Sequence, residues 1–205
     1  MARSRKSLRT GDRPAGGRRQ LVVLGVTGGI AAAKASHLAR LLAARADVQV
    51  VMTRSARRFV TPLTFSAITG RRALTDMFED EGGGQVTHVT VAADADLFVV
   101  APATADFLAR SAQGRADDLL GAMLLVTRAP VVVAPAMNTR MWQHPAVQRN
   151  IGFLREHGFL LVGPEEGWLA CGDVGPGRMS EPEVLLDAIR AQLQRRPPRA
   201  ALASA

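Results

Sequence analysis

The run Leu21-Val22-Val23-Leu24-Gly25-Val26-Thr27-Gly28-Gly29 ("LVVLGVTGG", 21–29) decides the fold class. A short, continuous apolar run ending in a hydroxyl and two glycines reads as a strand buried on both faces that enters a tight turn. Residues 30–44, rich in Ala and Leu, read as the helix that leaves it. The pattern then repeats. Strands are expected at 47–52, 96–100, 130–134 and 159–162. Helices are expected at 62–69, 104–112, 117–127, 146–157 and 183–193, with a short helical stretch ending at Phe59. Residues 163–181 are rich in Gly and Pro and read as a loop. Strands alternating with helices need crossover connections, which gives a parallel sheet covered on both faces. The expectation is a three-layer α/β sandwich.

At 205 residues the chain is read as one domain over 20–195, with basic tails at 1–19 and 196–205 expected to be disordered. The net charge of +8 does not imply nucleic acid, because the excess sits in those tails and the body between them is close to neutral. Aromatic residues make up 4% of the chain and tyrosine is absent, so base-stacking platforms are not expected. One cysteine, Cys171, excludes an internal disulfide and a cysteine-built zinc site. The histidines His37, His88, His144 and His157 lack metal-binding spacing, so no metal is expected. No apolar run reaches the roughly 20 residues of a membrane span, and no signal peptide is evident, so the expectation is a cytoplasmic protein without membrane contact.

In parallel sheets ligands bind outside the carboxyl ends of the strands. The residues there are Thr27-Gly28-Gly29, Thr53-Arg54-Ser55, Pro102-Ala103-Thr104 and Pro135-Ala136-Met137-Asn138. Small residues with hydroxyls and amides suit a planar, phosphorylated ligand approached by backbone N–H groups at helix N-termini. The first turn completes neither GxGxxG nor a P-loop. Two hydroxyl-bearing turns side by side favour a mononucleotide such as FMN over a dinucleotide.

The blocks "VTGGIAAAK" (26–34), "MTRSARRFVTPLTFSAITG" (52–70), "THVTVAADADLFVVAPATA" (87–105), "GRADDLL" (114–120), "APAMNTRMW" (134–142) and "LACGDVGPGRMSEP" (169–182) follow one another in a known order. Over about residues 20 to 190 the chain resembles the flavin-dependent cysteine decarboxylases, and most of all the phosphopantothenoylcysteine decarboxylases of coenzyme A biosynthesis. The resemblance implies a flavodoxin-like (Rossmann-like) fold, bound FMN and a homo-oligomer, a trimer or a dodecamer. Gly28, Gly29, Ile30, Thr53, Ser55, Ala103, Thr104, Ala105 and Asp106 would line the FMN. His88, Asn138 and Cys171 would be catalytic, with Asn138, Met137 and Arg178 on the substrate. The implied reaction is decarboxylation through a thioaldehyde. Its substrate is a thiol-bearing carboxylate, either 4'-phosphopantothenoylcysteine or, in the alternative branch, the C-terminal cysteine of a precursor peptide.

These residue types suit that chemistry. A neutral histidine can take a thiol proton near neutral pH. An asparagine NH₂ can hold a carboxylate without a cation that over-stabilises the ground state. A cysteine on a closing flap can return a proton. Each also has a plainer reading. His88 can cap a helix, Asn138 can cap the helix entered at Thr139, and Met137, Met141 and Trp142 can pack in the core. Asp117 and Asp118 suit a helix N-terminus, and Arg178 can be solvated. One departure stands out: Asp106 occupies a position where the family usually has asparagine. A carboxylate there would repel a phosphate unless it faces away or pairs with a base. Many bacterial members continue into a ligase domain, and a chain of this length is expected to act without one.

Overall fold

The computed structural model describes residues 18–78, 87–170 and 172–195; of the tails expected at 1–19 and 196–205, all but Arg18 and Arg19 lie outside them. The leading run forms β1 (Leu21–Val26) and its turn leads into α1 (Ala32–Ala43). Then come β2 (Asp47–Met52), a single 3-10 turn at Ala56–Arg58, α2 (Pro62–Thr69) and α3 (Thr87–Asp94). Next are β3 (Leu97–Ala103), α4 (Ala105–Ala112), α5 (Leu119–Val126) and β4 (Val131–Pro135). α6 (Thr139–Gln143), α7 (Pro145–Glu156) and β5 (Leu160–Leu161) follow. A two-stranded pair, β6 (Glu165–Trp168) and β7 (Val174–Arg178), precedes α8 (Pro182–Gln194).

β1 to β5 make one parallel sheet in the order β2-β1-β3-β4-β5. Alternation along each strand sorts its side chains into two layers. Val22, Leu24 and Val26, with Leu97 and Val99, meet Leu38, Leu42, Phe65, Leu185 and Ile189 from α1, α2 and α8. Val23, Phe98, Val100 and Val133 meet Phe107, Leu120, Met123, Ile151 and Leu154 from α4, α5 and α7. This is the flavodoxin-like three-layer sandwich. Burying each of these side chains is worth about 1.5–3 kcal/mol, so the sheet is the rigid reference for everything at its edge.

Three expectations change. Residues 163–181 are not a plain loop: β6 and β7 pair antiparallel within them, Glu165 opposite Arg178 and Trp168 opposite Val174. β3 runs past Val100 to Ala103. Arg18 and Arg19, assigned above to a free tail, are tied down at the amino edge of the sheet. Arg18 pairs with Asp96 at 2.9 Å and Arg19 donates to Ala43 O at 3.1 Å. Asp96 also receives the Leu21 N–H at 2.7 Å. Among the described residues no helix is long and apolar enough to cross a membrane, and no His/Cys/Asp/Glu group is arranged to hold a metal ion.

Candidate active site

The carboxyl ends of β1, β3 and β4 are stitched together before any ligand is considered. The Thr27 hydroxyl donates to Pro102 O at 2.7 Å and accepts from Thr104 N–H at 3.1 Å, locking the β1 turn to the β3 end. Thr104 caps α4 by accepting from Phe107 N–H at 3.3 Å. Ala136 N–H donates to Ala103 O at 3.1 Å, joining β3 to β4. Asn138 caps α6, its Oδ1 accepting from Arg140 N–H at 2.8 Å.

The glycine turn is shaped by a close approach. A Cβ at Gly28 would stand 2.3 Å from the Cβ of Ser55, so no larger residue fits between the β1 and β2 turns. At Gly29 a Cβ would meet only Thr104 Cγ2, at 3.9 Å. The N–H groups of Gly28, Gly29 and Ile30, ahead of α1, enter no hydrogen bond among the described residues. They are available to an anionic group at a helix N-terminus.

A cleft of about 760 Å³ opens over these turns. Gly28, Gly29, Ile30, Thr104 and Ala105 line it from the sheet edge, and Met137 and Asn138 from the β4–α6 turn. Arg178 faces it from β7. Eight of the expected residues therefore share one space. Others do not line it. Thr53 is buried, its hydroxyl accepting from Ala56 N–H at 3.2 Å. Ser55 is exposed and packs against Gly28. Ala103 is fully buried within β3. The backbone of His88 lies in the first turn of α3, while its side chain and the whole of Cys171 lie outside the described residues.

Asp106 does not threaten an anion in the cleft. Its carboxylate receives a bond from Arg110 Nε at 3.0 Å, one helical turn on. Arg110 also reaches Asp117 at 3.2 Å and Asp118 at 2.9 Å. Burial alone would lower the Arg110 pKa; hydrogen bonds and charge from these carboxylates, Asp118 first, together outweigh it and raise the value. Asp118 also caps α5 through Gly121 N–H at 2.8 Å, as expected for an acid at a helix start. Met141, expected in the core, is 48% exposed and lines the cleft instead. Met137 and Trp142 pack against the core partly buried.

The β6–β7 pair roofs the cleft through Trp168, Leu169, Ala170, Gly177, Arg178 and Met179. Its stem is bonded to the sheet edge: Met137 N–H donates to Gly177 O at 3.0 Å. Gly177 has φ +147, and a Cβ there would fall 2.2 Å from Met137 O. Lys34, on α1, donates to Glu181 Oε1 at 2.8 Å and to Met179 O at 3.3 Å, so α1 and the roof share an ion pair. Arg178 pairs with Glu165 at 3.0 Å and Glu181 at 3.4 Å. The hydrogen bond from Lys34, against a smaller opposing effect of burial, holds the Glu181 carboxyl below the usual glutamate range. The sequence reading passed over Lys34, Trp168 and Glu181. Lys34 was findable, since it follows Ile30 by four residues and shares its helical face.

A parallel α/β sheet with a small-residue cleft at its carboxyl edge, roofed by a hairpin, defines an enzyme-like ligand-binding fold of the nucleotide or flavin type. The chain belongs to the Flavoprotein family, whose model matches residues 12–194. It is 50% identical over 163 residues to the coenzyme A biosynthesis bifunctional protein CoaBC of Bacillus subtilis, covering 79% of this chain and 40% of that protein. Against the CoaBC of Escherichia coli K12 it is 45% identical over 167 residues, 81% of this chain and 41% of the relative. The chain thus spans about two fifths of these relatives. Among solved structures, a PPC decarboxylase mutant complexed with pantothenoylaminoethenethiol superposes with a TM-score of 0.77 at 31% identity, covering 86% of this chain and 100% of that one. The FMN-dependent cysteine decarboxylase SpaF gives 0.75 at 37% identity, covering 86% and 96%.

Proposed function

We propose that this chain is an FMN-dependent carboxy-lyase that decarboxylates a cysteine-derived carboxylate, converting 4'-phosphopantothenoylcysteine to 4'-phosphopantetheine within a homo-oligomer. The observation that carries the reading is the shared cleft. It places the Gly28-Gly29-Ile30 turn, the Asn138 amide and the roofing hairpin around one space, in a chain half identical to a coenzyme A biosynthesis protein.

The residues fit FMN. Three N–H groups ahead of α1 are available to its phosphate, and the absence of a side chain at Gly29 leaves open space beside Thr104 in the same cleft. When bound, FMN supplies a reversible hydride acceptor next to the carbon that carries the thiol. His88 is assigned the thiol proton, which it takes as neutral imidazole. Asn138 holds the carboxylate through Nδ2, its Oδ1 being committed to the start of α6. Carbon dioxide leaves once the adjacent carbon is a thioaldehyde, because the electron pair then has somewhere to go. Cys171 is assigned the proton that restores the saturated product. The hairpin excludes water while this happens.

One observation favours the second reading, a peptide C-terminal cysteine. Both cations that line the cleft among the described residues, Lys34 and Arg178, are balanced by Glu181 and Glu165, which suits a substrate without a phosphate in this space. Product mass separates the two readings. The FMN-loaded protein incubated with phosphopantothenoylcysteine is expected to yield a product lighter by CO₂ alone. Loss of CO₂ and two hydrogens from a cysteine-terminated peptide, with phosphopantothenoylcysteine untouched, would select the peptide reading. Replacing His88 with Asn is expected to stop turnover while the protein stays yellow; full activity in that variant removes His88 from the reaction.

A further inference from the structure

The Asn138 amide, assigned above to the substrate carboxylate, already holds a carboxylate of its own chain. Nδ2 donates to Asp173 Oδ2 at 3.1 Å. The orientation of the amide is fixed, because Oδ1 is engaged with Arg140 N–H. Asp173 stands 35 residues away, at the turn that joins β6 to β7. That turn is closed by its own backbone: Leu169 N–H donates to Asp173 O at 2.9 Å and Gly172 N–H to Leu169 O at 2.9 Å. The hairpin turn therefore presents its carboxylate to the end of the cleft where the β4–α6 turn offers its amide.

We propose that Asp173 is a positioning residue that occupies the carboxylate subsite at Asn138 until a substrate carboxylate displaces it. The inference rests on the assignment of Asn138 to the substrate. Two carboxylates on one amide would stand a few ångströms apart, where like charges repel, so the two occupancies exclude each other. While it is docked, Asp173 keeps the NH₂ group pointed toward the subsite. A ligand with a carboxylate takes its place and frees the hairpin turn. A decarboxylated product cannot compete, so Asp173 returns to Asn138 and the product loses its hold. The exchange gives the site a built-in discrimination between substrate and product, two molecules that differ by a single carboxylate.

The test uses the FMN-loaded, full-length protein and two unreactive probes in titration calorimetry. N-acetylserine carries the carboxylate with a hydroxyl in place of the thiol, and N-acetylethanolamine lacks the carboxylate. In Asp173→Ala the apparent affinity for N-acetylserine is expected to rise about five-fold, the factor by which a mostly occupied subsite weakens binding. N-acetylethanolamine should bind all proteins alike. Asp173→Asn keeps an acceptor for the Asn138 amide, and with it the hairpin contact, but removes the charge; a smaller gain is expected there. Unchanged or weaker binding of N-acetylserine in both variants, equal shifts for the two probes, or no binding in any of the proteins overturns the proposal. Failure of the proposed reaction shows separately, as absence of CO₂ loss in the unaltered protein.

Discussion

The sheet edge and the hairpin that roofs it are built on opposite principles. The strands that end at the edge have almost no accessible surface, and the turns that follow them are joined by backbone and hydroxyl bonds such as Thr27 to Pro102 and Ala136 to Ala103. The hairpin exposes Trp168 at 75% and Val174 at 71%. Polar contacts hold it: the Gly177–Met137 backbone bond, the Lys34–Glu181 ion pair and the Asp173–Asn138 bond. The first region keeps its shape through burial, which is strong and non-directional. The second is held by a few exchangeable bonds in contact with water, each worth little. A rigid floor and a releasable cover are what a site needs if it must admit a substrate and then exclude water.

This contrast can be broken from the floor upward. Phe98→Ala removes a fully buried ring between β3 and the second helix layer. It is expected to cost about 3–5 kcal/mol and to lower the melting temperature by about 10 °C in a thermal scan. A loss of about 1 °C would mean that the floor is less rigid than its burial implies. Gly177→Ala should act on the cover alone. The new Cβ meets Met137 O in a backbone region that costs side chains about 1–3 kcal/mol, and the hairpin yields before the sheet does. The expected result is a nearly unchanged melting temperature with faster hydrogen exchange at the Met137 amide. Coincident loss of exchange protection in β1 would erase the distinction between the two regions.

The smallest effect comes from acid. The Glu181 carboxyl is held below its ordinary range by Lys34, so the folded form binds a proton less readily than the unfolded chain. Its contribution is complete above the ordinary glutamate range and fades as pH falls through the depressed value. Limited proteolysis over that window should cut the hairpin first while β1 to β4 remain protected. Equal resistance at both ends of the window would assign the hairpin's stability to something other than this pair.

The floor was legible in the sequence and the cover was not, for a physical reason. Buried parallel strands must be apolar throughout, so "LVVLGV", "VVMT" and "LFVVAPA" announce themselves, and small residues after each strand mark the ligand edge. β6 and β7, "EEGW" and "VGPGR", are half exposed and glycine-rich, with no apolar alternation to read. Their pairing depends on contacts between distant residues: Gly177 with Met137, Glu181 with Lys34, Asp173 with Asn138. Asp106 shows the intermediate case. The sequence flagged a carboxylate that needed a base, and Arg110 stands four residues on, but the sharing of that one guanidinium with Asp117 and Asp118 appears only in three dimensions. Met141 went the other way, since a helical methionine beside a tryptophan reads as core and instead faces the cleft.

The anchoring of Arg18 on Asp96 also bears on how the protein can be handled. It lies at the amino edge of the sheet, and Gln20 reaches Leu193 O near the end of α8 at 3.0 Å, so both ends of the described chain leave from that edge. The cleft opens at the other edge, the length of a strand away, about 20 Å. An affinity tag, a surface tether or a fused reporter joined directly at Arg18 or Arg195 would therefore start from the side of the sheet away from the mouth of the cleft.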